Sequence, residues 1–327
     1  MKRLDLLKQI AILLLMVSIS CKNQPEKVRN GNQENSELKG TISISGAFAL
    51  YPMTARWAEE FQKIHPKVRI DISAGGAGKG MTDALSGIVD LGMFSRGITD
   101  VEKAKGVWWI AVTQDAVLPT MNASNQILEN VKEIGFTKDD FTACFLTREI
   151  KTWEKWSKGD AEGNNTINVY TRSDACGAAQ MWGEYLGKNQ EDLIGIGIYG
   201  DPGMADAVKN DKQGIGYNNV IYIYDINTRK KHAGLEVIPI DLNGNGKIDD
   251  DEKLYDSLDM IMNAIKDGKY PSPPARELYF VSKGKPSKKI VVEFLKWIIT
   301  DGQKYVNEAG YVQLSEENLT AGLKSFE

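Results

Sequence analysis

The chain has 327 residues, with 40 Lys and Arg against 44 Asp and Glu and a formal net charge of −4. Loss of a leader carrying Lys2, Arg3, Lys8 and Asp5 takes this to −6, a balance that argues against nucleic acid as a partner. Only two histidines, His65 and His232, are available as neutral-pH bases, which leaves little for acid–base catalysis.

Residues 1–20 open with Lys2 and Arg3, run apolar from Ile10 to Ile19, and end before Cys21. The apolar run falls well short of the roughly 20 residues a bilayer span needs, so this is a signal peptide. Ser18-Ile19-Ser20-Cys21 resembles a bacterial lipoprotein box, which implies cleavage before Cys21 and lipid on its sulfur; the alternative is an ordinary secretory signal with an incidental cysteine. Residues 21–39, rich in Asn, Gln and Lys, read as a flexible tether. No later segment is apolar and long enough to span a membrane, so residues 40–327 are expected to be a soluble body large enough for two lobes.

From Gly40 the pattern alternates strand, loop and helix, the signature of a mostly parallel sheet flanked by helices. Ile42 and Ile44 mark a strand that Gly46 breaks. Met53, Trp57, Phe61 and Ile64 predict one face of a helix over 51–64, stopped by Pro66. Val68, Ile70 and Ile72 alternate as the next strand, followed by a glycine-rich loop over 74–80 and a helix with Met81, Leu85 and Ile88 on one face. A short strand over 89–94 ends at Ser95-Arg96. Residues 118–239 repeat the alternation, with a strand over 168–171 and a helix over about 178–186. The segment 277–282 predicts a late strand, and Ile290, Phe294, Leu295 and Ile298 a last amphipathic helix returning to the first lobe. The expected division is therefore 40–116 with 272–327 as lobe 1 and 117–271 as lobe 2. Cys144 and Cys176 allow either a disulfide or two buried thiols.

Three loops share one physical feature: 46–52, 75–80 and 174–178 each follow a strand, consist mainly of small residues and open a helix. Unpaired N–H groups at helix starts favour anions, and Arg172 ahead of the third loop can add a charged fork. Any one such loop is common in α/β proteins for tight geometry alone; three together point to an oxyanion cleft.

In order, SGAFALYP, AGGAGKGM, VDLGMFSR, RSDACGAAQMW and GIGYNN resemble the phosphate-binding proteins of bacterial phosphate ABC transporters, over nearly the whole body. The resemblance implies an α/β type II periplasmic-binding-protein fold, two lobes joined by hinge strands with the first lobe discontinuous. It also implies delivery of inorganic phosphate to an ABC transporter permease by a monomer on the periplasmic face of the cell envelope, anchored to the membrane by its N-terminal lipid. Carried over by motif, the anion contacts are Leu50, Tyr51, Ala77, Ser95, Arg172, Cys176, Gly177 and Ala178. Leu50, Ala77, Cys176 and Ala178 stand where the family usually offers hydroxyls, and Ser95 where some members place an Asp that accepts the ligand's proton. A sulfate-like or molybdate-like oxyanion, or a sensor or adhesion lipoprotein on the same fold, are the alternatives.

The segment 241–252, DLNGNGKIDDDE, fits the twelve-residue calcium loop D-x-[DN]-x-[DN]-G-x5-E. Asp241, Asn243, Asn245, Lys247 through its carbonyl, Asp249 and Glu252 are the expected ligands of a structural calcium ion, between a strand over 235–240 and a helix over 254–265. An acidic turn that binds nothing is the competing reading. An enzyme is not expected: Gly80 stands where a P-loop needs Ser or Thr after Lys79, and Cys176 has no nearby base.

Overall fold

The computed structural model describes residues 37–159 and 165–327; the leader, Cys21 and the tether up to residue 36 lie outside the described residues. Leu38–Glu327 form one compact unit. Its elements run β1 (Gly40–Gly46), α1 (Tyr51–Ile64), β2 (Val68–Ala74), α2 (Ala77–Leu85), β3 (Leu91–Phe94), α3 (Asp100–Ala104), β4 (Val107–Asn122), α4 (Leu128–Ile134) and α5 (Lys138–Phe145). They continue through β5 (Asn168–Arg172), α6 (Gly177–Tyr185), β6 (Ile196–Ile198), α7 (Gly200–Asn210), β7 (Gly214–Asn219) and β8 (Leu235–Val237). The chain closes with α8 (Leu258–Lys266), β9 (Ala275–Lys283), α9 (Lys289–Ile298) and α10 (Glu316–Lys324).

Eight strands lie in the order β2-β1-β3-β9-β4-β7-β5-β6, and β8 adds to β4. β1, β2 and β3 run parallel, as do β5, β6 and β7; β4 and β9, antiparallel to each other, join the two sets. The 16-residue β4 serves both sides. Val107–Ala116 pair with the whole of β9, with a register shift between Ala111 and Thr113, and Val117–Met121 then pair with β7.

The two larger hydrophobic cores flank this crossing. One gathers Trp57, Phe61, Phe94, Phe280 and Phe294, the other Phe136, Phe141, Trp153, Trp156, Trp182 and Tyr217. Val112 and Leu278 belong to the first while Ala116 and Ala275, a few residues along the same two strands, belong to the second. The boundary expected at 116/117 thus falls inside β4.

Local chemistry explains the elements. In α1 the 3.6 period buries Met53, Trp57 and Phe61, and Phe61 meets Phe294 and Trp297 of α9 with ring centroids 5.1 and 5.5 Å apart. A capping box of Thr137 and Asp140 starts α5. Three expectations shift. The helix after the glycine-rich loop ends at Leu85, and Ile88, past a turn at Gly87, is 68% exposed. The helix after the calcium-type loop begins at Leu258, where Ser257 caps it, rather than at Leu254. The amphipathic α9 is followed by α10, none of whose residues is fully buried. Among the described residues no helix is long and apolar enough to cross a membrane.

Candidate functional site

Because β1, β2 and β3 are parallel, their carboxyl ends at Gly46, Ala74 and Phe94 meet at one end of the sheet, and the loops leaving them share that space. Glycine is required here by contact. A Cβ on Gly46, whose φ is +133°, would lie 2.3 Å from the Met93 carbonyl oxygen and 2.8 Å from the Gly80 Cα. One on Gly80 would lie 2.4 Å from that same oxygen, so α2 is laid backbone against backbone on β1 and β3. The N–H groups of Gly75 and Gly76 both donate to the Gly46 carbonyl, at 2.9 and 3.1 Å, and fix the second loop to the first.

The third loop arrives from the other core. Gly78 N–H donates to the Ala175 carbonyl at 3.0 Å, and a Cβ on Gly177 would lie 2.1 Å from the Ser95 carbonyl oxygen. Ala77, Ser95, Cys176, Gly177 and Ala178, all buried, are thereby brought together. Phe48 of the first loop has its ring 5.8 Å from the Arg172 guanidinium and edge-on to Tyr199, with centroids 5.9 Å apart.

Within the cluster the donors differ in availability. Gly177 and Ala178 open α6, and their N–H groups have no acceptor among the described residues. The N–H groups of Leu50 and Tyr51 are already engaged at 3.2 Å with the carbonyls of Ala47 and Phe48. Cys176 N–H donates to Gln190 Oε1 at 3.1 Å, and its sulfur accepts from Ala179 N–H at 3.4 Å as the cap of α6. Burial pushes the Cys176 thiol up to about 12 despite the nearby Arg172 charge, which favours the protonated thiol. Cys144 and Cys176 are separate buried thiols.

Arg172 is not an idle fork. Its fully buried side chain donates from Nε and Nη2 to the two oxygens of Asp174, at 2.8 and 2.7 Å, and from Nη1 to Asp201 at 2.7 Å. Burial disfavours its charge, but Asp201, Cys176 and Asp174 outweigh this and raise its pKa above the usual guanidinium range. Asp201 also accepts from Asn219 Nδ2 at 2.6 Å, Asn219 Oδ1 accepts from Arg276 Nη2, and Arg276 Nε meets Asp115 at 3.1 Å. A buried chain of polar groups therefore runs from the third loop to the crossing strands, since Asp115 lies on β4 and Arg276 on β9. Burial and the Asp201 charge push Asp115 up to about 7, with Arg276 opposing only in part.

Sequence reasoning missed Asp201, Arg276 and Asp115, which had no local signal, and gave Asn219 no role although it ends GIGYNN; Asp174 was legible as the residue two past Arg172.

The calcium-type loop lies elsewhere, packed by Ile248 against Gly135. Its carboxylates are turned inward. Asp241 accepts from the N–H groups of Gly244, Asn245 and Gly246, Glu252 from those of Leu242, Asn243 and Asp249, and Asp249 from both Asn side-chain amides and from Lys247 Nζ at 2.6 Å. Lys247 and the two amides hold the Asp249 carboxyl down at about 2. Among the described residues no three His, Cys, Asp or Glu side chains are gathered as a metal site. The donor set, hard oxygens with two buried carboxylates at the ends of the loop, suits calcium chemically, provided Lys247 leaves Asp249.

The description "PBP superfamily domain" belongs to the family model that residues 31–302 match. The phosphate-binding protein PstS of Methanocaldococcus jannaschii is 26% identical, over 90% of this chain and 88% of that protein, and that of Staphylococcus aureus (strain USA300) is 25% identical, over 90% and 84%. Among solved structures, a phosphate ABC transporter substrate-binding protein with bound phosphate from Clostridium perfringens superposes with a TM-score of 0.68 at 19% identity, covering 84% of this chain and all of that one. An ABC-type phosphate transport receptor from Vibrio cholerae gives 0.59 at 17% identity, with the same coverage. The expected type II periplasmic-binding-protein fold is the fold of this chain, and with most of its length matched by that family model, the chain belongs to the PBP superfamily.

Proposed function

We propose that the chain is a phosphate-capturing substrate-binding protein of an ABC importer, not an enzyme. The observation that carries this reading is the convergence of the second and third loops, Gly78 on Ala175, with Gly177 seated against Ser95 and the first-turn N–H groups of Gly177 and Ala178 left without acceptors beside a buried Arg172. The relatives named as phosphate-binding proteins narrow the anion to phosphate. Main-chain donors stand in for the hydroxyls missing at Leu50, Ala77, Cys176 and Ala178. The two cores act as lobes that close about β4 and β9, delivering the anion to a permease, and Cys21 carries the lipid that keeps the protein at the membrane.

Titration calorimetry with phosphate, sulfate, arsenate and molybdate in separate runs tests the ligand. One-to-one phosphate binding is expected, lost by at least about tenfold in Gly177→Ala, whose methyl group would strike the Ser95 carbonyl. Binding of another oxyanion without phosphate moves the ligand; silence toward all four removes the transport reading.

We also propose that 241–252 takes one calcium ion as a structural staple, supported by the motif and its oxygen donors. Ion binding would replace Lys247 at Asp249 and tie Asp241 to Glu252. Calcium at a hundredfold excess over its Kd is expected to stabilise the fold by about 2.7 kcal/mol. A melt unchanged by calcium and chelator, in wild type and Glu252→Gln alike, removes the claim.

A further inference from the structure

The topology that sends three loops to one end of the first sheet sends a different set of residues to the other. β1, β2 and β3 start at that far end, β9 finishes there at Lys283, and β4 begins there at Val107, opposite Lys283. Strand β1, of seven residues, puts the two ends roughly 20 Å apart. The far end is basic. Lys39 and Lys67 stand just before β1 and β2, Lys105 stands two residues before β4, Lys283 ends β9, and Lys285 and Lys288 come from the turn that follows; all six are exposed.

Hydrogen bonds knit these segments together. Gly40 N–H donates to the Lys67 carbonyl at 3.1 Å, Gly284 N–H to the Gly106 carbonyl at 2.9 Å, and Lys288 Nζ reaches the Thr41 carbonyl. Of the carboxylates at this end, Asp90 is matched by Lys288 at 3.0 Å, and Glu37 stands two residues before Lys39. Lys105, Lys283 and Lys285 enter none of the ion pairs found among the described residues. Ile88, 68% exposed, lies two residues from Asp90. In a chain of net charge −4, such a concentration of lysine opposes the mean field and gives one end of the body the opposite sign.

From this geometry we propose that the lysine-rich end of the first sheet docks on an anionic phospholipid surface. The body's first residues, Leu38–Gly40, lie at this end, so an N-terminal membrane attachment would enter the body on this face. The choice of a membrane over other polyanions rests on the export reading; the charge arrangement does not. Exposed lysines within about a Debye length of the headgroups are attracted without inserting, and Ile88 offers a small apolar contact.

The test is co-flotation of the body 38–327, which holds both cores and carries no lipid, with vesicles of phosphatidylglycerol and phosphatidylethanolamine or of phosphatidylcholine alone. Binding to the anionic vesicles only is expected, weakening as salt rises. Lysine near a charged surface contributes about fivefold in partitioning, so the Lys105→Ala, Lys283→Ala, Lys285→Ala triple variant is expected to lose about a hundredfold while its melt and phosphate titration stay unchanged. Equal recovery with both vesicle types, no recovery with either, or a triple variant that partitions like wild type overturns the proposal. Because lipid on Cys21 plays no part in the readout, membrane release of a Cys21→Ser chain tests the anchor separately.

Discussion

Arg172→Ala is expected to lower stability by about 3–5 kcal/mol and to abolish anion binding. The size follows from what stays behind. Asp201, buried, and Asp174, part-buried, would lose the guanidinium that satisfies them at 2.7–2.8 Å, and an uncompensated buried carboxylate costs far more than an exposed one. The unfolding midpoint should fall by roughly 6–15 °C. Arg172→Lys keeps the charge but cannot hold two carboxylates with a planar fork, so it should fall between wild type and alanine. Adding Asp201→Asn to Arg172→Ala should recover part of the loss, because one of the stranded charges is removed. A midpoint unchanged in Arg172→Ala would mean that water enters the cluster and that the ion pairs do little for the fold.

Asp115 supplies the second large effect, read against pH. Its carboxyl rises from an ordinary 3.8 to about 7 through burial and the Asp201 charge, opposed by Arg276. Between those two values the folded protein holds a proton that the unfolded chain has released. Stability from this group is therefore complete below about pH 4 and is lost as pH rises toward 7, at up to about 1.4 kcal/mol per pH unit. Asp115→Asn keeps a neutral group there and is expected to flatten the wild-type decline between pH 4 and 7 by roughly 2–4 kcal/mol in total. Thermal melts of the two proteins across that range measure the difference. Parallel curves would mean that Asp115 is ionised throughout and fully paired with Arg276.

Much of the first half of the fold was legible because its residues are periodic and punctuated. Trp57 and Phe61 fix the buried face of α1 and Pro66 follows its end, so its bounds agree with the expected 51–64. Strand β4 was less so: VWWIAVTQDAVLPTMN is buried on both sides for much of its length and carries no alternation to separate a hinge from a core strand. At the site, the loops were legible as glycine-rich strand-to-helix turns, but which N–H groups they leave open was not. The partner of Cys176 N–H is Gln190, 14 positions away, and the second carboxylate on Arg172 is Asp201, 29 away. Such partners are set by how α6 and α7 pack, which no local spacing encodes. The calcium-type loop shows the converse: its motif was complete in sequence, yet whether its carboxylates face an ion or their own main chain depends on the state of Lys247.

The open amides at the start of α6 carry one more consequence. A peptide N–H neither titrates in the physiological range nor can be deleted by exchanging a side chain, so the grip of Gly177 and Ala178 on an anion is insensitive to acidity and to substitutions that spare Gly177 and Arg172. The pH response of capture would then follow the protonation of the anion itself, and natural variation at positions 50, 77, 176 and 178 would change the fit around the ligand while leaving those donors in place.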